Sequence, residues 1–175
     1  MRERVKWASL AAICALVVLS GFSSACARSL ITTRIIDAES GEPVNEAIVA
    51  YRWYKHKVGV PGLPAEDVTI EAGEEISDAD GVLAIPKYSS ITNYLDMCAY
   101  KQGYVCWNNL KIFPGWKERN DFSFQNEMVI RLEPFKEGYS KKDHARFTVF
   151  MSNRCPSRGR FGEAIEPEFK AYYEK

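Results

Sequence analysis

What most constrains this chain is a succession of short β-branched and aromatic runs, each stopped by Gly, Pro or Asp. Residues 29–37 (SLITTRIID) carry no helix-start signal and read as a strand. The polar stretch 38–43 turns the chain, and 47–54 (AIVAYRWY) makes a second strand. Between 55 and 75 the chain holds Gly59, Pro61, Gly62 and Pro64. So long a segment without structure is unusual in a compact domain, so Val68–Ile70 is expected to add a short strand. Asp80-Gly81 opens a strand from Val82 to Pro86, and residues 94–100 form another. A turn over Lys101–Gly103 then sends 104–112 back antiparallel. Residues 128–132 are the last clear strand, stopped by Pro134. Six or seven such strands predict an all-β fold, an antiparallel Ig-like sandwich. Beyond Phe135 the strand rhythm ends. Ile165, Phe169 and Tyr172 fall at i, i+4 and i+7, with Pro167 near the start, and predict a short helix in a C-terminal extension, 136–175.

The first residues read as an address. Three bases against one acid in 1–6 precede an apolar run from Trp7 to Leu19 and a small-residue stretch, 20–27. That is the layout of an export signal, and the run is short for a membrane span, which needs roughly 20 apolar residues. A retained anchor helix is the alternative. Two cleavage readings stay open. Ala25-Cys-Ala27 fits a small-x-small cut before Arg28, giving a signal over 1–27. Ser-Ser-Ala-Cys26 resembles a bacterial lipobox, with a leader over 1–25 and lipid on Cys26, although Ser23 stands where that motif usually has an aliphatic residue. Either cut would leave Cys98, Cys106 and Cys155, an odd number that in an oxidising compartment implies one bridge and one leftover thiol.

Four stretches resemble the blocks of carboxypeptidase regulatory-like domains. Residues 33–49 (TRIIDAESGEPVNEAIV) are similar to the opening strand, Gly-x-Pro-Val turn and second strand. Residues 77–86 (SDADGVLAIP) resemble the next block, an Asp turn with an obligatory Gly before an aliphatic strand. Residues 97–104 (MCAYKQGY) resemble a strand closing on Gly-Tyr, and 129–134 (VIRLEP) the closing strand. The blocks run in family order over roughly 29–135, within an expected domain at 28–135. Gly41, Gly81 and Gly103 would supply the positive φ that tight turns require. The resemblance implies a prealbumin-like sandwich of about seven strands and a non-catalytic role, as accessory to a zinc enzyme. The chain departs from the pattern in the inserts at 55–75 and 113–127 and in its tail.

Candidate chemistry is sparse. The only histidines are His56 and His144, without a His-x-x-Glu or Cys-x-x-Cys pair, so no metal centre and no cofactor are expected. Asp78-x-Asp80-Gly81 reads as a turn in which Asp bonds its own backbone, not as a calcium loop. Cys155 follows His144 by eleven residues, a pairing that admits a small thiol-dependent enzyme, and no nucleophile motif surrounds it. No catalytic residue is assigned.

The thiols are more informative. A turn centred on Gln102 would set Tyr100 against Tyr104, Cys98 against Cys106 and Asp96 against Asn108. Leu95, Met97, Ala99, Val105 and Trp107 would form the buried face, leaving the cysteines opposite one another on the less apolar side. A Cys98–Cys106 cross-strand disulfide is then possible; the rival joins either to Cys155 and straps the tail across that face.

Charge is segregated. With 23 Lys+Arg and 23 Asp+Glu the chain is formally neutral, which argues against a nucleic-acid partner. Loss of 1–27 would leave 20 bases and 22 acids. Glu66 to Asp80 holds seven acids and no base, whereas Tyr139 to Arg160 holds six bases and Asp143. The two can dock on each other, or the tail can face anionic envelope polymers or lipid headgroups. Trp53 and Trp107 are expected in the core, and Trp116, beside Pro114-Gly115, is the expected exposed ring and candidate ligand surface. The expectation is thus an exported, non-enzymatic binding or scaffold module, periplasmic, lipid-anchored to the membrane or secreted, with an envelope protein or polysaccharide as partner. The alternative is an envelope glycan binder using exposed aromatics.

Overall fold

The computed structural model describes residues 29–57, 66–89, 91–155 and 159–173. The leader, Cys26 and both cleavage readings therefore lie outside the described residues, as does the middle of the first insert. The described chain is β-rich, with mostly antiparallel strands and two helices. The strands are β1 (Leu30–Asp37), β2 (Ile48–His56), β3 (Asp67–Ile76), β4 (Val82–Pro86), β5 (Tyr94–Tyr100), β6 (Trp107–Asn108), β7 (Lys111–Ile112), β8 (Lys117–Glu118) and β9 (Met128–Leu132). The helices are α1 (Lys141–Ser152) and α2 (Arg160–Tyr173).

The strands form a sheet of order β4-β1-β9, a sheet of order β3-β2-β5-β6, and the small β7-β8 ribbon. The β1–β9 pair is parallel, so the first sheet is not purely antiparallel as expected. Its strands alternate: Ile31, Thr33 and Ile35 of β1 and Met128, Ile130 and Leu132 of β9 are buried, while Arg34, Val129 and Arg131 face water. Of these, Ile35, Met128, Ile130 and Leu132 meet Val49, Tyr51 and Trp53 of β2, Met97 and Ala99 of β5 and Trp107 of β6 in one cluster. Trp53 and Trp107 are thus core residues, and the Trp53 indole N–H donates to the Pro86 carbonyl at 3.0 Å.

The turn before β4 shows why Gly81 is required. Its φ is +73°, and an added Cβ would run into the Ile35 carbonyl, which lies beside the bond from Ile35 N–H to Gly81 O at 2.7 Å. Asp78 Oδ1 accepts from the N–H groups of Asp80 and Val82 at 2.9 and 2.8 Å, the self-bonded turn that its sequence predicts.

β2 and β5 differ from β1 and β9 in being buried in nearly unbroken runs. Such strands have both faces covered. Their second face carries Ile48, Ala50 and Arg52 opposite Tyr100, Cys98 and Asp96. Over Ala50, Cys98 and Tyr100 pack Phe147 and Met151 of α1, Cys155 just beyond it, and Phe161 and Ile165 of α2. The side read from sequence as less apolar is therefore a second core. Only one helix was expected here; α1 is additional. Its N-cap is Ser140, whose Oγ accepts from Asp143 N–H at 3.2 Å. α2 begins seven residues before Pro167, which is interior, not initial. The missing amide and the ring clash cost roughly 3 kcal/mol in an isolated helix. Here Phe161 and Ile165, both fully buried, hold the preceding turns on the sheet.

Two strand expectations change. Val68–Ile70 belongs to the ten-residue β3, which pairs with β2 along its length. Residues 104–112 do not return as one strand, since only Trp107 and Asn108 pair with β5.

Candidate functional site

The β5–β6 register sets Asn108 opposite Cys98 and Trp107 opposite Ala99. The expected pairing of Cys98 with Cys106 is off by two residues. A shift of two preserves the faces, so Met97, Ala99 and Trp107 still point to the first core. The cause lies in residues 104–106, which bond elsewhere. Val105 N–H donates to Glu133 O at 2.8 Å, Tyr104 bridges to Pro134, and Cys106 N–H donates to His144 Nε2 at 2.9 Å. Cys98 and Cys106 are therefore not directly opposite one another, as the expected cross-strand bridge requires. In this structure Cys98, Cys106 and Cys155 are reduced, and each is buried.

His144 sits at the centre of a polar seam between α1, α2 and the sheet. Because Nε2 accepts the Cys106 amide, the ring proton resides on Nδ1, 3.2 Å from Glu168 Oε2. Glu168 Oε1 accepts from the Tyr100 hydroxyl at 3.1 Å. Burial, reinforced by the Glu168 charge, pushes the Tyr100 phenol upward, so it remains a donor. Both ring nitrogens of His144 are thus committed to groups other than Cys155. Cys155 Sγ instead meets Cys98 Sγ at 3.6 Å, and its thiol is driven up by that contact and by burial. The Cys106 thiol is likewise raised, chiefly by burial. Buried, protonated thiols are weak nucleophiles.

This seam opens to solvent through a cleft of about 400 Å³ lined by Tyr100, Tyr104, Phe135, Lys141, His144 and Glu168, among others. Aromatic walls with one carboxylate and one ammonium suit a small amphipathic ligand. Sequence reasoning missed Tyr100 and Glu168, which lie 68 residues apart. The one available hint was Glu168 within the apolar face of the predicted terminal helix.

Trp116 is half-buried, not the exposed ring expected. Its φ is +59°, and its ring meets Phe147 and Phe150 edge-on at 5.1 and 5.3 Å. It does line a second depression of about 550 Å³ with Phe113, Tyr139, Asp143 and Arg146. The charged segments meet only in part. Arg154 of the tail reaches Asp96 on β5 at 3.5 Å, while Gly159, at the start of α2, lies against the Glu74 carboxylate. A carboxylate there is favoured by the helix dipole. Within the first insert, His56 pairs with Asp67 at 2.7 Å. Among the described residues no group of three His, Cys, Asp or Glu is placed to hold a metal, and no helix is long and apolar enough to cross a membrane.

Near the cleft, Asp37 Oδ1 accepts the N–H groups of Ser40 and Glu39 at 2.8 Å each, and Oδ2 accepts the Tyr104 hydroxyl at 3.0 Å. The Ser40 amide, followed by the Glu39 amide and the Tyr104 hydroxyl, outweighs desolvation and holds this carboxyl below its ordinary value. A depressed carboxylate contributes stability above the unfolded value of about 3.9, lost as pH falls through the folded one. Denaturant midpoints measured downward from pH 6 are therefore expected to drop below about pH 4, with a shallower acid limb in Asp37→Asn.

No family model matches the chain, and no curated protein matches it. Among solved structures it is similar to 3-chlorocatechol 1,2-dioxygenase from Rhodococcus opacus 1CP, at 16% identity and a TM-score of 0.29, covering 47% of this chain and 43% of that one. It is also similar to a 9R-lipoxygenase from Cyanothece PCC8801, at 11% identity and a TM-score of 0.30, covering 81% of this chain and 24% of that one. The chain thus spans less than half the length of either, and likenesses this weak carry no argument about fold or activity.

Proposed function

We propose that the protein is a non-catalytic binding or scaffold module of the cell envelope, built on a prealbumin-like sandwich of the carboxypeptidase regulatory-like kind. It is exported through its leader, either cut before Arg28 or tethered to the membrane by lipid on Cys26, and it engages an envelope protein or polysaccharide. The four ordered sequence blocks support the family, and the shared core between the two main sheets is consistent with a sandwich. The observation that carries the non-catalytic reading is the fate of its one candidate nucleophile and base. His144 spends both nitrogens on Cys106 N–H and Glu168, and Cys155, buried against the Cys98 sulfur, presents no thiolate. The cleft over Tyr100, His144 and Glu168 is the concave surface assigned to a ligand. Assays of ester, amide and glycoside hydrolysis with wild type, Cys155→Ala and His144→Gln test this. No turnover above buffer is expected; turnover abolished by either substitution would contradict the reading.

The depression beside Trp116 favours a second reading, an envelope glycan binder. Three aromatic residues with Asp143 and Arg146 provide stacking faces and planar polar groups of the kind a sugar uses. Trp116→Ala is then expected to weaken retention on insoluble polysaccharide, and unchanged retention would remove this reading.

A further inference from the structure

Cys98 occupies the outer face of β5, with Ala50 of β2 on one side and Asn108 of β6 on the other. No cysteine stands opposite it within the sheet. Towards the helices, the Cys155 sulfur lies 3.6 Å away, although 57 residues separate the two in sequence. The end of α1 fixes this approach. Cys155 N–H donates to Ser152 O at 3.0 Å, and the Cys98 thiol reaches Met151 O at 3.5 Å. Cys106 lies in the same cluster, but its sulfur is 3.8 Å from Trp107 O and bonds to Thr148, and its amide is held by His144.

We propose that Cys98 and Cys155 form the disulfide of this protein, stapling the helical layer to the sheet, and that Cys106 is the leftover thiol. Closing the bond from contact distance to the ~2.05 Å of a disulfide requires an approach of about 1.5 Å, which is available to Cys155 because it lies past the end of α1. The oxidant is a disulfide-exchange donor, such as oxidised glutathione or a disulfide-carrying oxidase. One protein thiol, after releasing its proton, attacks a donor sulfur and expels one donor thiolate. The second protein thiolate attacks the protein sulfur of the mixed disulfide and expels the other. Two electrons and two protons leave the protein, and the donor departs as two thiols. Because both sulfurs are buried in the folded protein, exchange occurs before α1 seats or during its local opening.

The test is refolding of the full chain in a reduced/oxidised glutathione buffer, alkylation under denaturing conditions, and non-reduced peptide mapping by mass spectrometry. The mapping assigns linkages pair by pair, so Cys14 and Cys26 do not confuse it. A Cys98–Cys155 linked peptide with Cys106 alkylated is expected, and Cys106→Ala should leave that linkage intact. Any other partner for Cys98, alkylation of all three thiols, or loss of the linkage in Cys106→Ala would overturn the proposal. The result is independent of the envelope reading: a chain that forms this bond in vitro but keeps its leader in cells fails that reading alone.

Discussion

Replacing Asp96 with Ala is expected to lower folding stability by about 3 kcal/mol, because it strands a cation against the sheet. Asp96 is fully buried. One oxygen accepts from Arg52 at 2.7 Å across the β2–β5 pair, and the other faces Arg154 at 3.5 Å. Arg52 already has a buried Nε without a partner, so it has little to fall back on when the carboxylate goes. Its side chain is 23% exposed, which allows water to reach it and places the loss at the low end of the range for breaking a buried pair. Replacing both members by apolar residues, Arg52→Met with Asp96→Leu, is expected to recover most of that loss, since no buried charge is then left unpaired and Arg154, 41% exposed, turns to water. Chemical denaturation of the single and double variants checks both statements. A loss below about 1 kcal/mol in Asp96→Ala would show the pair to be a solvated surface contact.

Phe147→Ala is expected to cost about 4 kcal/mol, whereas Phe150→Ala, three residues on in the same helix, should change stability by less than about 1 kcal/mol. Phe147 is completely buried between the sheet and a ring cluster, with centroids 5.6 Å from Phe113 and 5.1 Å from Trp116. Phe150 is 54% exposed and meets the Trp116 ring edge-on at 5.3 Å. The contrast separates a helical layer that belongs to the fold from a tail resting on it. Equal, small effects would mean that α1 contributes little.

The strands of the first sheet were legible because they alternate. In β1 the apolar Ile31 and Ile35 face inward between polar Thr32 and Arg34, a pattern that one-sided burial requires. β2 and β5 carried a signal of their own, apolar runs broken only by Arg52 and Asp96 before the end of each strand, whose meaning is burial on both faces. That signal calls for a layer beyond the two sheets, and a single terminal helix does not satisfy it. α1 escaped notice for a physical reason: its buried face includes His144, Thr148 and Ser152 at four-residue spacing, while Phe150 points to solvent. Polar groups can sit inside because they find partners there. Ser152 Oγ donates to Val149 O at 2.8 Å, and His144 accepts the Cys106 amide. Periodicity of hydrophobicity is blurred in a helix whose buried face mixes these polar residues with Ala145, Phe147 and Met151. The cysteine register failed for a related reason. The turn at Gly103 has the positive φ expected, +89°, but the residues after it bond to Glu133, Pro134 and His144, all distant in sequence, before the strand resumes at Trp107. The site at Tyr100, His144 and Glu168 is assembled by that same convergence, which local spacing does not encode.

The most direct test of an exported envelope module is the intact mass of the protein recovered from fractionated cells expressing the whole 19.9 kDa chain. Envelope or periplasmic material lacking residues 1–27, or lacking 1–25 with acyl mass on Cys26, is expected. An unprocessed chain in the cytoplasmic fraction would contradict it.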